Sequence, residues 1–328
     1  MKKLLKILFF LVIIAAVGIA GLLTYVKLAL PKVDPAIDLK VEMTPERIAR
    51  GKYLANHVTV CMDCHSTRDM SLFAAPLKEG TLGMGGDRFD QTMDFPGVYY
   101  ARNITPAGIS SYTDGELYRV ITTGVDKNGK AMFPVMPYPY YGKMDPEDIK
   151  SIIAYIRSIP PIDNKVPESS SDFPMNFIIN TIPQNAEPQK MPSKSDKVAY
   201  GSYLANASGC IECHTQVDKG QIIKELMYSG GREFQFPDGS VLRTSNITPD
   251  TETGIGKWTE QEFVRKFKSF TDSNYVSPKI APGEFNTFMP WTMYGGMSEE
   301  DLSAIYAYLR TIPAKKNAVT KFSKAGVN

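Results

Sequence analysis

Cys61, Cys64 and His65 stand together in "TVCMDCHST", and Cys210, Cys213 and His214 in "SGCIECHTQ". These two stretches use all 4 cysteines and two of the 3 histidines of a 328-residue chain. Two thiols three positions apart on a short turn can bond to the two vinyl-derived carbons on one porphyrin edge. The adjacent histidine then falls beneath the iron. Each Cys-x-x-Cys-His stretch therefore reads as an attachment point for a c-type haem. Zinc is the competing reading. Paired zinc knuckles usually lie about 12–20 residues apart, whereas Cys64 and Cys210 are separated by 146 positions and each pair is followed directly by histidine. A redox dithiol would sit in a βαβ frame that neither stretch has.

The sixth iron ligand decides what such a haem can do. His57 is the only other histidine. It stands four residues before Cys61, on the proximal side, so two bis-histidine haems are excluded. Methionine is the natural alternative and raises the haem potential. Among 15 methionines, Met136 and Met289 each stand in Met-Pro-aromatic, with Phe133 or Phe288 just upstream. They follow their histidines by 71 and 75 positions. Met144 and Met297 also recur, eight residues on, but directly before helix starts, and read as packing residues. Met136 and Met289 are the expected ligands.

The elements that position these residues are written twice. "RGKYLANHVTVCMDCH" (50–65) matches "YGSYLANASGCIECH" (200–214), and "NITP" occurs at 103–106 and 246–249. "MPYPYYGKMDPEDIKSIIAYIRSIPP" (136–161) matches "MPWTMYGGMSEEDLSAIYAYLRTIPA" (289–314). Three landmarks in the same order mark a tandem repeat, with expected domains at 44–160 and 197–315. Residues 31–43 and the Pro/Ser-rich 161–196 read as linkers, and 316–328 as a tail. The apolar island Phe173 to Ile182 is unusual for a free linker and reads as a strap packed across one domain, or as a lid between two haems.

Helix signals dominate. Thr44-Pro45, Asp145-Pro146 and Ser298-Glu299 are N-terminal caps. Ile149, Ile152, Ile153 and Ile156, and in the second copy Leu302, Ile305, Tyr306 and Leu309, each form one apolar stripe. Gly51 and Gly201 lack a Cβ, so another helix can cross closely there, with Tyr155 and Tyr308 as the expected partners.

The first 30 residues read as a single membrane anchor or a signal segment. Ile7 to Val26 carries no charge, a span of about 30 Å as a helix, one hydrocarbon thickness. Lys2, Lys3 and Lys6 precede it and hold the N-terminus in the cytoplasm. A cleaved signal has a shorter apolar region, about 7–15 residues. Either way the body faces the periplasm. Net charge is +2, and without the four lysines of the first thirty residues the remainder sits near −2, so no basic surface calls for nucleic acid.

The order Cys-x-x-Cys-His, Asn-Ile-Thr-Pro, Met-Pro-aromatic, terminal helix resembles class I cytochrome c in tandem. More narrowly, "SNITPDTETGIGKWTEQEF" (245–263) with "FMPWTMYGGMSEEDLSAIYAYLRTIP" (288–313) is similar to the cytochrome c subunits of bacterial membrane-bound alcohol, gluconate and sorbitol-type dehydrogenases. Those subunits commonly carry three haem motifs; this chain has two. The resemblance implies an all-α fold and two covalent haems, on Cys61 and Cys64 and on Cys210 and Cys213. It implies His65 with Met136, and His214 with Met289, as axial ligands. It also places Asn103 and Asn246 near the haem propionates. The expected function is electron transfer with a redox partner protein, either a membrane dehydrogenase or, as an electron-entry subunit, a haem–copper terminal oxidase. A dihaem peroxidase is the enzymatic rival; it requires an iron that can be opened, which methionine ligation disfavours.

Overall fold

Three sequence-legible caps start helices by one device. The computed structural model describes residues 1–236 and 238–326. In it the Thr44 hydroxyl accepts from the Arg47 N–H, Asp145 from Glu147 and Ser298 from Asp301. Each side chain satisfies an N–H that the first helical turn leaves free. In the first repeat these caps organise α2 (Pro45–Tyr53), α3 (Cys61–Cys64), α4 (Pro106–Ile109), α5 (Asp114–Thr123), α6 (Tyr138–Tyr141) and α7 (Pro146–Ser158), after a long N-terminal α1 (Lys2–Ala29). A short α8 (Met175–Ile178) lies between the repeats. In the second repeat the order returns as α9 (Lys197–Ala207), α10 (Cys210–Cys213), α11 (Glu260–Lys268), α12 (Trp291–Tyr294) and α13 (Glu299–Leu309). The helices α5 and α11 even share a full capping box, Thr113 with Glu116 and Thr259 with Glu262.

The core of each repeat is the crossing of its first and last helices. Ile149, Ile152, Ile153 and Ile156 of α7 are buried, as are Leu302, Ile305 and Leu309 of α13; Tyr306 is only half-buried. The crossing point is a glycine in both copies. A Cβ on Gly51 would lie 1.8 Å from the main-chain oxygen of Ser151 and 2.8 Å from Tyr155 Cβ. A Cβ on Gly201 would lie 1.8 Å from the main-chain oxygen of Ala304. Tyr155 is thus at the crossing as its spacing implies; in the second copy Ala304, the counterpart of Ser151, makes the nearest approach.

An all-α chain does not take in what connects the helices. Among the described residues there are three small antiparallel sheets. In the first repeat β1 (Arg88–Phe89) pairs with β2 (Gly97–Tyr100), and β2 pairs with β3 (Ser170–Ser171), which comes from the linker. A two-stranded ribbon, β4 (Val217–Asp218) and β5 (Gln221–Ile222), follows the second cysteine pair. In the second repeat β6 (Glu233–Gln235) pairs with β7 (Val241–Arg243), and β7 with β8 (Phe322–Ser323) from the tail. Both repeats therefore close alike: the chain beyond the terminal helix returns to add a strand to a hairpin.

The Asn-Ile-Thr-Pro motif is the clasp of that closure. Asn103 Oδ1 accepts from the N–H and hydroxyl of Thr105, and its amide donates to the Ile162 carbonyl at 2.8 Å. Ile162 N–H donates back to the Thr105 hydroxyl. Asn246 and Thr248 hold Lys315 in the same way, with 2.7 Å from the Asn246 amide to the Lys315 carbonyl. Both asparagines are buried, and buried polar groups that are fully paired cost nothing further.

The two repeats meet through a reciprocal set of contacts. The Tyr53 hydroxyl donates to Asp301 at 2.5 Å and accepts from the Ser298 N–H. The equivalent Tyr203 donates to Asp148 at 2.7 Å and accepts from the Asp145 N–H. Residue i meeting j while j's counterpart meets i's counterpart is the signature of a two-fold relation. Both carboxylates are buried, and each has a second partner within its own repeat: Arg50, bidentate at 2.9 Å, for Asp148, and the Tyr200 hydroxyl for Asp301. His57 belongs here too. Its Nδ1 lies 2.9 Å from the Met293 carbonyl of the other repeat; that oxygen can only accept, so Nδ1 donates. Tyr53→Phe and Tyr203→Phe should each cost about 1–3 kcal/mol, the loss for a buried partner left short of a hydrogen bond. Urea unfolding followed by circular dichroism measures this, and no effect from either would mean the reciprocal pairs hold nothing.

Candidate haem-attachment sites

Each Cys-x-x-Cys pair forms its own single helical turn, α3 and α10, entered from a left-handed residue. Val60 has φ 43° and Gly209 φ 62°. That reversal swings the turn off the end of the preceding helix, so both cysteines leave from one short arc and the histidine follows at its C-terminus. The four thiols are unpaired. Surroundings of low polarity raise the Cys61 thiol and push Cys210 up to about 12, which keeps them as neutral thiols; Cys213 faces the open side.

Both histidines are held by one side of the ring. His65 Nδ1 lies 2.6 Å from the Arg102 carbonyl and His214 Nδ1 lies 2.7 Å from the Ser245 carbonyl. A carbonyl only accepts, so each Nδ1 carries the proton and each Nε2 keeps its lone pair. Burial lowers both imidazoles, which keeps them neutral, the form a metal needs. The accepting strands reach in because of glycines. The Gly85 and Gly230 N–H groups donate to the His65 and His214 carbonyls, and their φ values are 72° and 73°. A Cβ would lie 2.5 Å from the Arg102 carbonyl carbon in one repeat and 2.4 Å from that of Ser245 in the other. The signal for these positions was the recurrence of a Gly-Gly pair, 85–86 and 230–231, in both repeats.

The methionine segments are built alike as well. Met136 and Met289 are half-buried, and their carbonyls accept from the Tyr138 and Trp291 N–H groups that open α6 and α12. Met144 and Met297 are each 1% exposed, fully inside the core. Phe133, ahead of Met136, stacks on Tyr99 with centroids 4.5 Å apart; Phe288, ahead of Met289, stacks on Phe236 at 4.7 Å. The small hairpins thus brace the methionine segments. Tyr141 and Tyr294 tie those segments to the cysteine turns, with hydroxyls donating to the Thr59 and Ser208 carbonyls at 2.9 and 2.6 Å. These tyrosines, repeated in "PYYG" and "TMYG", were not singled out from the sequence.

The two cysteine turns lie near one another. Tyr140 of the first repeat donates to Glu212, which sits between Cys210 and Cys213, at 2.5 Å. Burial raises both the Cys213 thiol and the Tyr294 hydroxyl, and Asp63, between Cys61 and Cys64, is close enough to add to each. Burial pushes Asp63 itself up to about 6 against the opposing pull of Arg68. Asn103 and Asn246 do not reach out: both amides are committed to main-chain carbonyls in the clasp, and a propionate would have to displace one of these.

Residues 198–313 match the family model described as "Cytochrome c". The second repeat is thus similar to cytochrome c. The cytochrome c domain's defining cofactor is a covalently bound c-type haem, and the residues fit it: unpaired thiols on one turn, a neutral histidine with Nε2 available, and among the described residues no rival cluster of metal ligands. Beyond that segment the chain is similar over most of its length to cytochrome subunits of dehydrogenases. It is 28% identical to the cytochrome c subunit of a quinone alcohol dehydrogenase from Gluconobacter oxydans, over 81% of this chain and 55% of that one. It is 27% identical to the cytochrome c subunit of gluconate 2-dehydrogenase from Pantoea cypripedii, over 84% and 62%. A diheme cytochrome c-type protein of Cereibacter sphaeroides is 27% identical over 77% of this chain and 82% of its own. The chain spans little more than half the length of the dehydrogenase subunits it matches.

Proposed function

We propose that the chain is a membrane-anchored dihaem cytochrome c with two cytochrome c units, 44–160 and 197–315, that passes electrons from a membrane dehydrogenase to a further acceptor. Haem would be held by Cys61 and Cys64 in the first unit and by Cys210 and Cys213 in the second. His65 and Met136 would be the axial ligands of one iron, His214 and Met289 of the other. When bound, each haem supplies a reversible one-electron site. The observation that carries the reading is the repeated histidine arrangement, with Nδ1 donating to a carbonyl at 2.6 and 2.7 Å beside two unpaired thiols.

The protein's own residues account for the rest. The Arg102 and Ser245 carbonyls fix ring orientation and make Nε2 a stronger donor. A methionine ligand would raise the potential, and the stacked pairs Phe133–Tyr99 and Phe288–Phe236 brace the segments that carry Met136 and Met289. Tyr140, on α6 of the first unit, is hydrogen-bonded to Glu212 on the cysteine turn of the second, which holds the two units together and favours transfer from one to the other over transfer through solvent. The partner follows from the relatives, which are named as cytochrome subunits of quinone alcohol and gluconate dehydrogenases. The helix Lys2–Ala29, long and apolar enough to cross a membrane, would anchor the chain, with the lysine-flanked N-terminus in the cytoplasm and the haem units in the periplasm.

Haem count tests the proposal directly. Denatured holoprotein should have the mass of the polypeptide plus two haems, with none extracted by acidic acetone. Cys61→Ala with Cys64→Ala, or Cys210→Ala with Cys213→Ala, should each leave one. A mass showing one haem in the wild type would rule out the dihaem relay.

A further inference from the structure

The uncharged run of α1 ends at Val26, and Lys27 is the next residue. The Lys27 ammonium lies 5.3 Å from the centroid of the Phe177 ring. Phe177 belongs to α8, and both α8 and the turn Ile179–Thr181 pack against α1. The apolar island between the repeats thus sits beside the last turn of α1. That is the level at which hydrocarbon would give way to lipid headgroups.

The island turns Phe173 and Ile178 outward, and its other apolar side chains are half-buried. Phe173 is 79% exposed and Ile178 44% exposed, and no residue of α8 is buried. The Phe173 and Phe177 rings meet edge to face at 6.4 Å, so they form one patch. Tyr25, on the adjoining end of α1, is also exposed. Asn176 and Asn180 interleave polar groups through it. Apolar groups held in water gain nothing from being ordered, whereas an interface between water and hydrocarbon satisfies both kinds of side chain. Among the described residues this is the apolar patch continuous with α1; the haem-bearing core does not include it.

We propose that residues 173–182 form an interfacial foot, lying in the headgroup region of the leaflet through which α1 emerges. The chain then meets the membrane at two places, and the haem-bearing body, on which Ile37 and Val41 are already docked, is held at a fixed height and tilt. The inference rests on the reading of α1 as a membrane-spanning helix.

The test uses full-length, haem-loaded protein in phosphatidylethanolamine–phosphatidylglycerol vesicles containing lipids brominated near the headgroup or near the chain ends. Phe173→Trp reports the foot and Tyr25→Trp reports the anchor; the wild type, with Trp258 and Trp291, is subtracted. Shallow bromines should remove about half or more of the emission added by Phe173→Trp, and deep bromines clearly less, as for a group about 5–10 Å below the headgroups. The emission added by Tyr25→Trp should also be quenched. Quenching at 25 with water-like, unquenched emission at 173 overturns the foot and spares the anchor. Loss of quenching at both overturns the anchor and the foot with it. Blue-shifted emission at 173 that is blind to bromine at either depth would mean that a second copy covers the patch, and overturns the foot.

Discussion

Met136→Ala and Met289→Ala are each expected to remove half of the sulfur-to-iron charge-transfer absorption of the oxidised protein, and together to remove all of it. Thioether sulfur on ferric haem is the source of that absorption, and in the proposed ligation each unit would contribute one such bond. The same loss lowers the affected iron's potential, because methionine favours the reduced state. Met144→Ala and Met297→Ala should leave the absorption intact while destabilising the fold by about 2–5 kcal/mol, as for a large core side chain cut to alanine. Both lie fully buried at 1% exposure, whereas Met136 and Met289 stand half-buried on segments braced by stacked aromatics. Loss of the absorption in the Met144 or Met297 variants instead would reverse the ligand assignment.

Gly51→Ala and Gly201→Ala should each reach or exceed the upper end of the usual overpacking cost, about 3 kcal/mol. The added methyl would meet main-chain oxygen at 1.8 Å in both cases, and a main chain cannot rotate aside as a side chain can. The helices α2 and α7, or α9 and α13, would have to move apart, opening the core behind the cysteine turn. Haem per chain is therefore expected to fall from two toward one in either variant. Gly18→Ala is the control: nothing lies within 4 Å of its added methyl, and it should be silent. Stability comes from urea titration and haem content from the pyridine haemochrome spectrum.

Much of this architecture was open to reading because it is local. A cap is two or three residues long, a stripe repeats within four, and the haem motif within five, so each announces itself in one stretch of chain. The tandem match added long-range information, since every landmark could be checked against its copy. The sheets escaped because their strands are two to four residues long and two of them find partners far along the chain: Ser170 pairs with Val98, and Phe322 with Leu242. Periodicity cannot emerge from two residues. The main-chain partners of Asn103 and Asn246 were hidden for a related reason. An asparagine before Ile-Thr-Pro looks free to donate, and only the returning chain at Ile162 or Lys315 reveals that its amide is spent. His57 was legible as a poor iron ligand, but not as a contact between repeats, because Met293 lies 236 positions away. The glycine crossings, in contrast, were visible as missing Cβ atoms; what the sequence does not reveal is that the nearest neighbours are the main-chain oxygens of Ser151 and Ala304.

The central claim is that both irons are closed by histidine and methionine, so the chain carries electrons and does not turn over a substrate at iron. Electron paramagnetic resonance of the oxidised and half-reduced holoprotein tests this most directly, followed by hydrogen peroxide with a reduced cytochrome as donor. The expected result is low-spin signals alone, two in the oxidised protein and one after half-reduction, with only slow bleaching by peroxide. A high-spin signal together with peroxide turnover at or above about 1 per second, the low end for ordinary enzymes, would contradict it.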